Sequence, residues 1–150
     1  MARIESSIQV AKSVEDTFAF LNAPENHRRF IPNMIEFDQT SAGPFGRVGA
    51  TAQGTLRILG ARIELSYEII EHEQNHRLAM KGLLGPIVFK DGYILDPTRN
   101  GTQIKFWLEL TLTGLAKILA PFAGLIGRIH AAETLANLGK ELETTESPKQ

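Results

Sequence analysis

The chain has 150 residues, 43% of them hydrophobic and 22% charged, with sixteen Lys and Arg against seventeen Asp and Glu for a formal net charge of -1. That length fits one domain with a sizeable core, and the balanced charge leaves only local patches to attract nucleic acid or anionic lipid. Cysteine is absent, which excludes a disulfide framework, thiol catalysis and Cys-based metal sites and fits a cytoplasmic protein.

The first ten residues lack the basic-then-apolar order of a signal peptide. The most apolar run, residues 118–126, is interrupted by Pro121 and Gly124 and is far shorter than the about 20 residues a spanning helix needs. No transmembrane segment is expected.

Ile4, Ser6, Ile8 and Val10 alternate with Glu5, Ser7 and Gln9, the period of a half-buried strand. Ser13 stands where an N-cap belongs, with Asp16 three residues on and Val14, Phe18 and Leu21 on one helical face. Asn22 and Pro24 interrupt this helix and start a second short one, which Pro32 ends. Its His27, Arg28, Arg29 and Phe30 read as a small basic cluster on a solvated helix face. Turn signals then recur at hairpin spacing, at Pro44, Gly60, Asn75, Gly85 with Pro86, and Asn100 with Gly101. They bound strands over 35–40, 48–59, 61–73, 76–82, 87–96 and 102–113. Connections this short make neighbours antiparallel, so the sheet is a meander with the first strand added at an edge. Residues 115–143 form a long or once-broken helix whose apolar stripe includes Ile118, Phe122, Leu125, Ile126 and Ile129. The expected class is α+β: one domain over 1–143, a seven-stranded antiparallel sheet curved around the C-terminal helix, with a flexible tail over 144–150.

Alternation assigns the inner face. Ile104, Phe106, Leu108, Leu110 and Leu112 share one side of the last strand, matched by Ile63, Leu65, Tyr67 and Ile69 and by Ala50, Ala52, Gly54, Leu56 and Ile58. Ala50, Ala52 and Gly54 are small for a packed core and leave room for a cavity unless a bulky neighbour fills it. If Ile87, Phe89, Tyr93 and Leu95 point inward, so does Asp91, whose carboxylate in an oily interior must be paired, protonated or near water; a bulge at Gly92 would send it to solvent instead. Tyr67 can line a wall while its hydroxyl orients a ligand. His130, Glu133 and Asn137 run along one edge of the helix stripe. Trp107 falls on the outer face, an exposed aromatic available to a homodimer.

The sequence carries no phosphate-cradling glycine loop, no nucleophile elbow and no zinc-ligand constellation, so no metal and no cofactor are expected. His72 and His76 flank a turn rather than sharing a helix face.

The run Ser13-Val14-Glu15-Asp16-Thr17-Phe18-Ala19-Phe20-Leu21, followed by Pro24-Glu25-Asn26 and Phe30-Ile31-Pro32, resembles the opening helices of the bacterial polyketide cyclase/dehydrase-like group of the START-like (helix-grip, SRPBCC) superfamily. The Leu95-Asp96-Pro97 turn ending in Gly101-Thr102 resembles it as well, and the element order matches over nearly the whole chain. The resemblance implies a deep apolar cavity between sheet and helix, and it supplies no catalytic residue, because the matching positions are structural.

Three functions follow. The first is a binder or carrier of a hydrophobic small molecule, a lipid, isoprenoid or polyketide-like compound, lined by Ala50, Ala52, Gly54, Leu56, Tyr67, Phe89, Phe106, Phe122 and Ile126. The second is a cyclase, dehydratase or hydrolase using Asp91, His130 or Tyr67 as acid or base. The third is a protein-interaction module built on Trp107 or the basic cluster. None calls for nucleic acid.

Overall fold

The computed structural model describes residues 2–112 and 114–144; the expected strand end at Thr113 and the tail beyond Thr144 lie outside the described residues. Strand β1 (Ala2–Val10) is followed by helix α1 (Val14–Asn22), a 3-10 turn (Pro24–Asn26) and helix α2 (His27–Phe30). Six further strands follow: β2 (Met34–Gln39), β3 (Thr51–Ile58), β4 (Ala61–Glu73), β5 (Arg77–Leu84), β6 (Ile87–Thr98) and β7 (Gly101–Leu112). A second 3-10 turn (Gly114–Leu119) leads into α3 (Ala120–Thr144). The strands form a single antiparallel sheet in the order β1-β7-β6-β5-β4-β3-β2, so β1 closes the meander beside β7 as the short connections require.

Ser13 caps α1: its hydroxyl accepts from the Asp16 amide at 3.0 Å and its carbonyl from the Thr17 amide at 2.9 Å. Replacing it with Ala removes one partner of an otherwise orphaned helix-end donor, and Ser13→Ala should lower stability by about 1 kcal/mol in urea unfolding. The turn expected at Leu95-Asp96-Pro97 lies inside β6. Pro97 sits opposite Thr102 near the strand end, and the chain reverses at Arg99 and Asn100. Proline, lacking an amide hydrogen, is tolerated at such a fringe position.

Helix α3 runs alongside β1 from the end of the sheet holding the β3–β4 and β5–β6 hairpin tips toward the end holding the β6–β7 turn. A methyl group on Gly127 would press into Ile4 and lie 3.6 Å from Leu108, and one on Gly139 would lie 3.3 Å from Ile8. The helix therefore buries a face of Gly127, Ala131, Thr134, Leu135, Leu138 and Leu142, spaced by threes and fours as one side of a helix must be. The stripe expected to face the sheet does not: Ile118, Phe122, Leu125, Ile126 and Ile129 are all more than half exposed. Glycine at the crossing brings the helix so close to β1 and β7 that this small-residue side is the one in contact, leaving the bulkier side uncovered.

Candidate functional site

The inner sheet face is built from cross-strand rows fixed by register. One runs Ala52, Tyr67, Gly82, Phe89, Leu110; the next runs Ile69, Met80, Asp91, Leu108, Ile4; the third runs Leu78, Tyr93, Phe106, Ser6. Pairing of β6 with both neighbours is uninterrupted through Lys90, Asp91 and Gly92, so no bulge turns Asp91 outward. It is 9% exposed and its Oδ1 has no hydrogen-bond partner. Burial raises its pKa to about 7. Burial likewise pushes the Tyr67 and Tyr93 hydroxyls well above their usual range, and the nearby Asp91 charge adds to both shifts. A carboxyl between two phenols in an oily wall can donate when protonated and accept when ionised.

Aromatic rings surround this group. His27 stacks on Phe37 with ring centres 4.7 Å apart, Phe37 meets Tyr67 at 5.1 Å, and Tyr67 meets Phe89 edge-on at 5.6 Å. A second arm runs from Phe30 to Tyr93 at 6.2 Å, to Phe106 at 5.1 Å and to His130 at 6.5 Å. Asp91, two residues from both Phe89 and Tyr93 on one strand face, lies between the arms.

His27 is a correction to the sequence reading. Only Arg28 and Arg29 of the expected basic cluster are solvated, Arg29 pairing with Glu141 at 2.8 Å. The His27 ring is fully buried, its Nε2–H donates to the Leu21 carbonyl at 2.7 Å, and Nδ1 is left without a partner. Desolvation lowers its pKa to about 4, against small opposing effects of that hydrogen bond and Glu25, so the ring is neutral at physiological pH. The spacing to Phe30, one helical turn on, is the signal that places it on the buried face.

Trp107 is a second correction. It does lie on the outer face, but it is 8% exposed: its indole covers Gly92 on β6, where a methyl group would sit 2.8 Å from the ring, and the Arg3 guanidinium lies 4.4 Å above it. An aromatic covered from above by cation–π contact and from beside by a glycine notch is buried rather than exposed.

The nine expected lining residues divide. Ala50, Ala52, Tyr67, Phe89 and Phe106 are buried core. Room above β3 is taken up at Gly54, where a methyl group would lie 2.9 Å from Met34 Sδ and 3.0 Å from Tyr67 Cε2. Leu56 is only partly buried, and Phe122 and Ile126 are 60% and 64% exposed. With Ile63, Leu84, Ile87, Leu110 and Leu112, all inward-facing and partly exposed, Leu56 marks an end of the wrap where the inner face is only partly covered. Of the expected acid–base residues, Tyr67 and Asp91 interact electrostatically. His130 ends the second aromatic arm beside Phe106, its pKa lowered by burial with Glu133 as its opposing charge, and Asn137 donates to the Phe30 carbonyl at 3.1 Å.

A register shift between Ile69 and Glu71 turns His72 inward against Phe18, where its Nε2 lies 3.2 Å from Asn22 Oδ1. His76 instead donates from Nδ1 to the Leu95 carbonyl at 2.8 Å. Among the described residues no group of three or more His, Asp or Glu is placed to hold a metal. A separate cleft of about 400 Å³ lies at the other end of the molecule, between Val10, Ser13, Asp16 and Leu142, remote from the aromatic rows.

The profile of one family, described as polyketide cyclase / dehydrase and lipid transport, matches residues 1–143. The chain belongs to this family. Solved structures agree on the fold. A protein of Thermus thermophilus, TTHA0849, superposes with TM-score 0.79 at 11% identity over 97% of this chain and 100% of its own. The di-domain ARO/CYC StfQ from the steffimycin biosynthetic pathway gives 0.76 at 12% identity over 94% of this chain and 50% of its own. Ara h 8.0201 gives 0.73 at 14% over 95% and 99%. No curated protein matches the chain in sequence. The architecture of this family member is the helix-grip fold, as the order of its elements implies. Among the described residues no helix is long and apolar enough to cross a membrane.

Proposed function

We propose that this member of the polyketide cyclase/dehydrase and lipid transport family binds and carries an elongated apolar molecule, a lipid, isoprenoid or polyketide-like compound. The observation that carries the reading is the incompletely covered end of the wrap, where Leu56, Leu84 and Leu110 of the inner sheet face are only partly buried and Phe122 and Ile126 at the start of α3 are more than half exposed. Apolar side chains left partly in water on an inner sheet face are what an oily ligand completes. The ligand's tail lies along these residues, and a polar end reaches toward Tyr67, Asp91 and Tyr93, whose buried oxygens supply a donor or acceptor otherwise costly to leave alone.

Nile red titration tests this. Saturable fluorescence enhancement is expected, weakened about tenfold or more when Ile126 and Leu110 are both changed to Asp. Enhancement that never saturates, or that the double variant leaves unchanged, contradicts the reading. The second reading, a cyclase or dehydratase, is favoured by one observation: the pKa of about 7 at Asp91 suits a group that must both give and take a proton. Asp91→Asn separates the two, since carriage tolerates it and proton transfer does not.

A further inference from the structure

Among the described residues, the large apolar side chains that are a third or more exposed are concentrated at one end of the molecule; Val48, Ile70 and Ile129 lie elsewhere. This is the end formed by the β3–β4 tip, the β5–β6 tip and the start of α3. Leu59 at the β3–β4 tip is fully exposed, and Leu115, Ile118 and Leu125 are 86%, 72% and 55% exposed. Leu59 also holds φ +51°, a conformation that glycine or asparagine adopts at lower cost. A leucine there is unfavourable for the backbone and for hydration at once, and neither cost is offset by a contact within the chain.

Charge at this end has one sign in sequence. Residues 40–63, 74–90 and 110–132, which contribute the two tips and the helix start, contain no Asp or Glu. Arg57 flanks the leucine tip, and Lys117 and Arg128 accompany the helix stripe; all three are exposed. The acids of the adjoining strands are partly occupied, Glu36 by Arg62, Glu109 by Arg3 and Glu64, just beyond the first window, by the Gln53 amide.

We propose that this end docks on an anionic lipid bilayer, with Leu59, Ile118 and Leu125 entering the boundary between headgroups and acyl chains. Apolar protrusions fringed by cations match that boundary in both respects: the side chains gain an oily medium and each cation gains an anionic headgroup. A second copy of the chain would meet the same cations with its own, so charge opposes self-association through this face. The inference concerns the outside of the open end and holds whether or not a ligand occupies the inside.

Flotation with ligand-free vesicles tests it. The protein should float with vesicles of phosphatidylcholine mixed with phosphatidylglycerol, bind weakly to phosphatidylcholine alone, and be released by salt. Leu59→Asp combined with Leu125→Asp should reduce the bound fraction about tenfold or more, and Arg57→Glu with Lys117→Glu should remove the preference for the anionic vesicles. Because these side chains are exposed, thermal melts should match the wild type, separating lost docking from lost folding. Failure to float with either vesicle, or retention of the double Asp variant on them, overturns the proposal. So does sedimentation as a dimer that Leu125→Asp dissociates, which would assign the face to a second copy. Nile red binding measured in parallel without vesicles distinguishes this failure from failure of the carrier reading.

Discussion

Asp91→Asn should stabilise the protein at about pH 8 and change little at about pH 4, with urea midpoints as the readout. The carboxyl's pKa rises from 3.8 in the unfolded chain to about 7 in the fold. Between those values the folded state holds the extra proton, so stability falls as pH rises and levels off above about 7. The full fall is about 4 kcal/mol, an upper figure for one buried group. Burial sets the shift; no hydrogen bond to Oδ1 is lost with the carboxylate. His27 works in the opposite direction. Its pKa drops from 6.5 to about 4 on folding, so the unfolded chain holds the extra proton and stability rises with pH through that window, by about 3 kcal/mol. His130, also lowered, adds to the rise. In the wild type the two trends largely cancel between about pH 4 and 7. In Asp91→Asn the histidine trend is unopposed by the carboxyl, so the variant should gain stability steadily from about pH 4 to 6.5. A variant that is less stable than wild type at about pH 8 would mean that the ionised carboxylate makes a favourable contact.

Gly82→Val should destabilise the fold by about 3 kcal/mol or more, near the upper end for overpacking. Gly82 lies in the row between Tyr67 and Phe89, and a methyl group there would run into the Phe89 ring itself. That ring cannot retreat freely, because Tyr67 meets it edge-on and Phe37 backs Tyr67. The clash therefore propagates along one arm of the aromatic wall. Phe89→Leu should recover part of the loss: the double variant should be more stable than Gly82→Val alone, a coupling of the kind contacting residues show. Equal losses in both backgrounds, measured by urea unfolding, would show that the ring does not rest on the glycine.

Much of this was readable from residue order. Strict alternation from Ile63 to Ile69 and from Ile87 to Leu95 sets the inner face and carries Tyr67 inward, and Asp91 with it once pairing through Gly92 excludes a bulge. What alternation cannot see is an interruption of the pleat. The shift between Ile69 and Glu71 reverses the faces beyond it and brings His72 inside. Nor can it see across strands: the Gly92 notch that takes Trp107 becomes visible only when β6 and β7 are paired. The terminal helix misled for a different reason. A stripe of Ile118, Phe122, Leu125 and Ile129 has the same period whether a sheet covers it or not, and the side that makes contact is marked by small residues such as Gly127 and Ala131. Hydrophobicity indicates a face that avoids water, whereas closeness of approach is decided by the residues that take little space.

The most direct test of carriage is native mass spectrometry of the freshly purified protein, paired with the same measurement after incubation with excess Nile red. The carrier reading predicts added mass at one-to-one stoichiometry, from a copurified apolar compound extractable into organic solvent or from the dye. A bare chain under both conditions would contradict it, and would mean that the uncovered apolar end serves something other than an internal ligand.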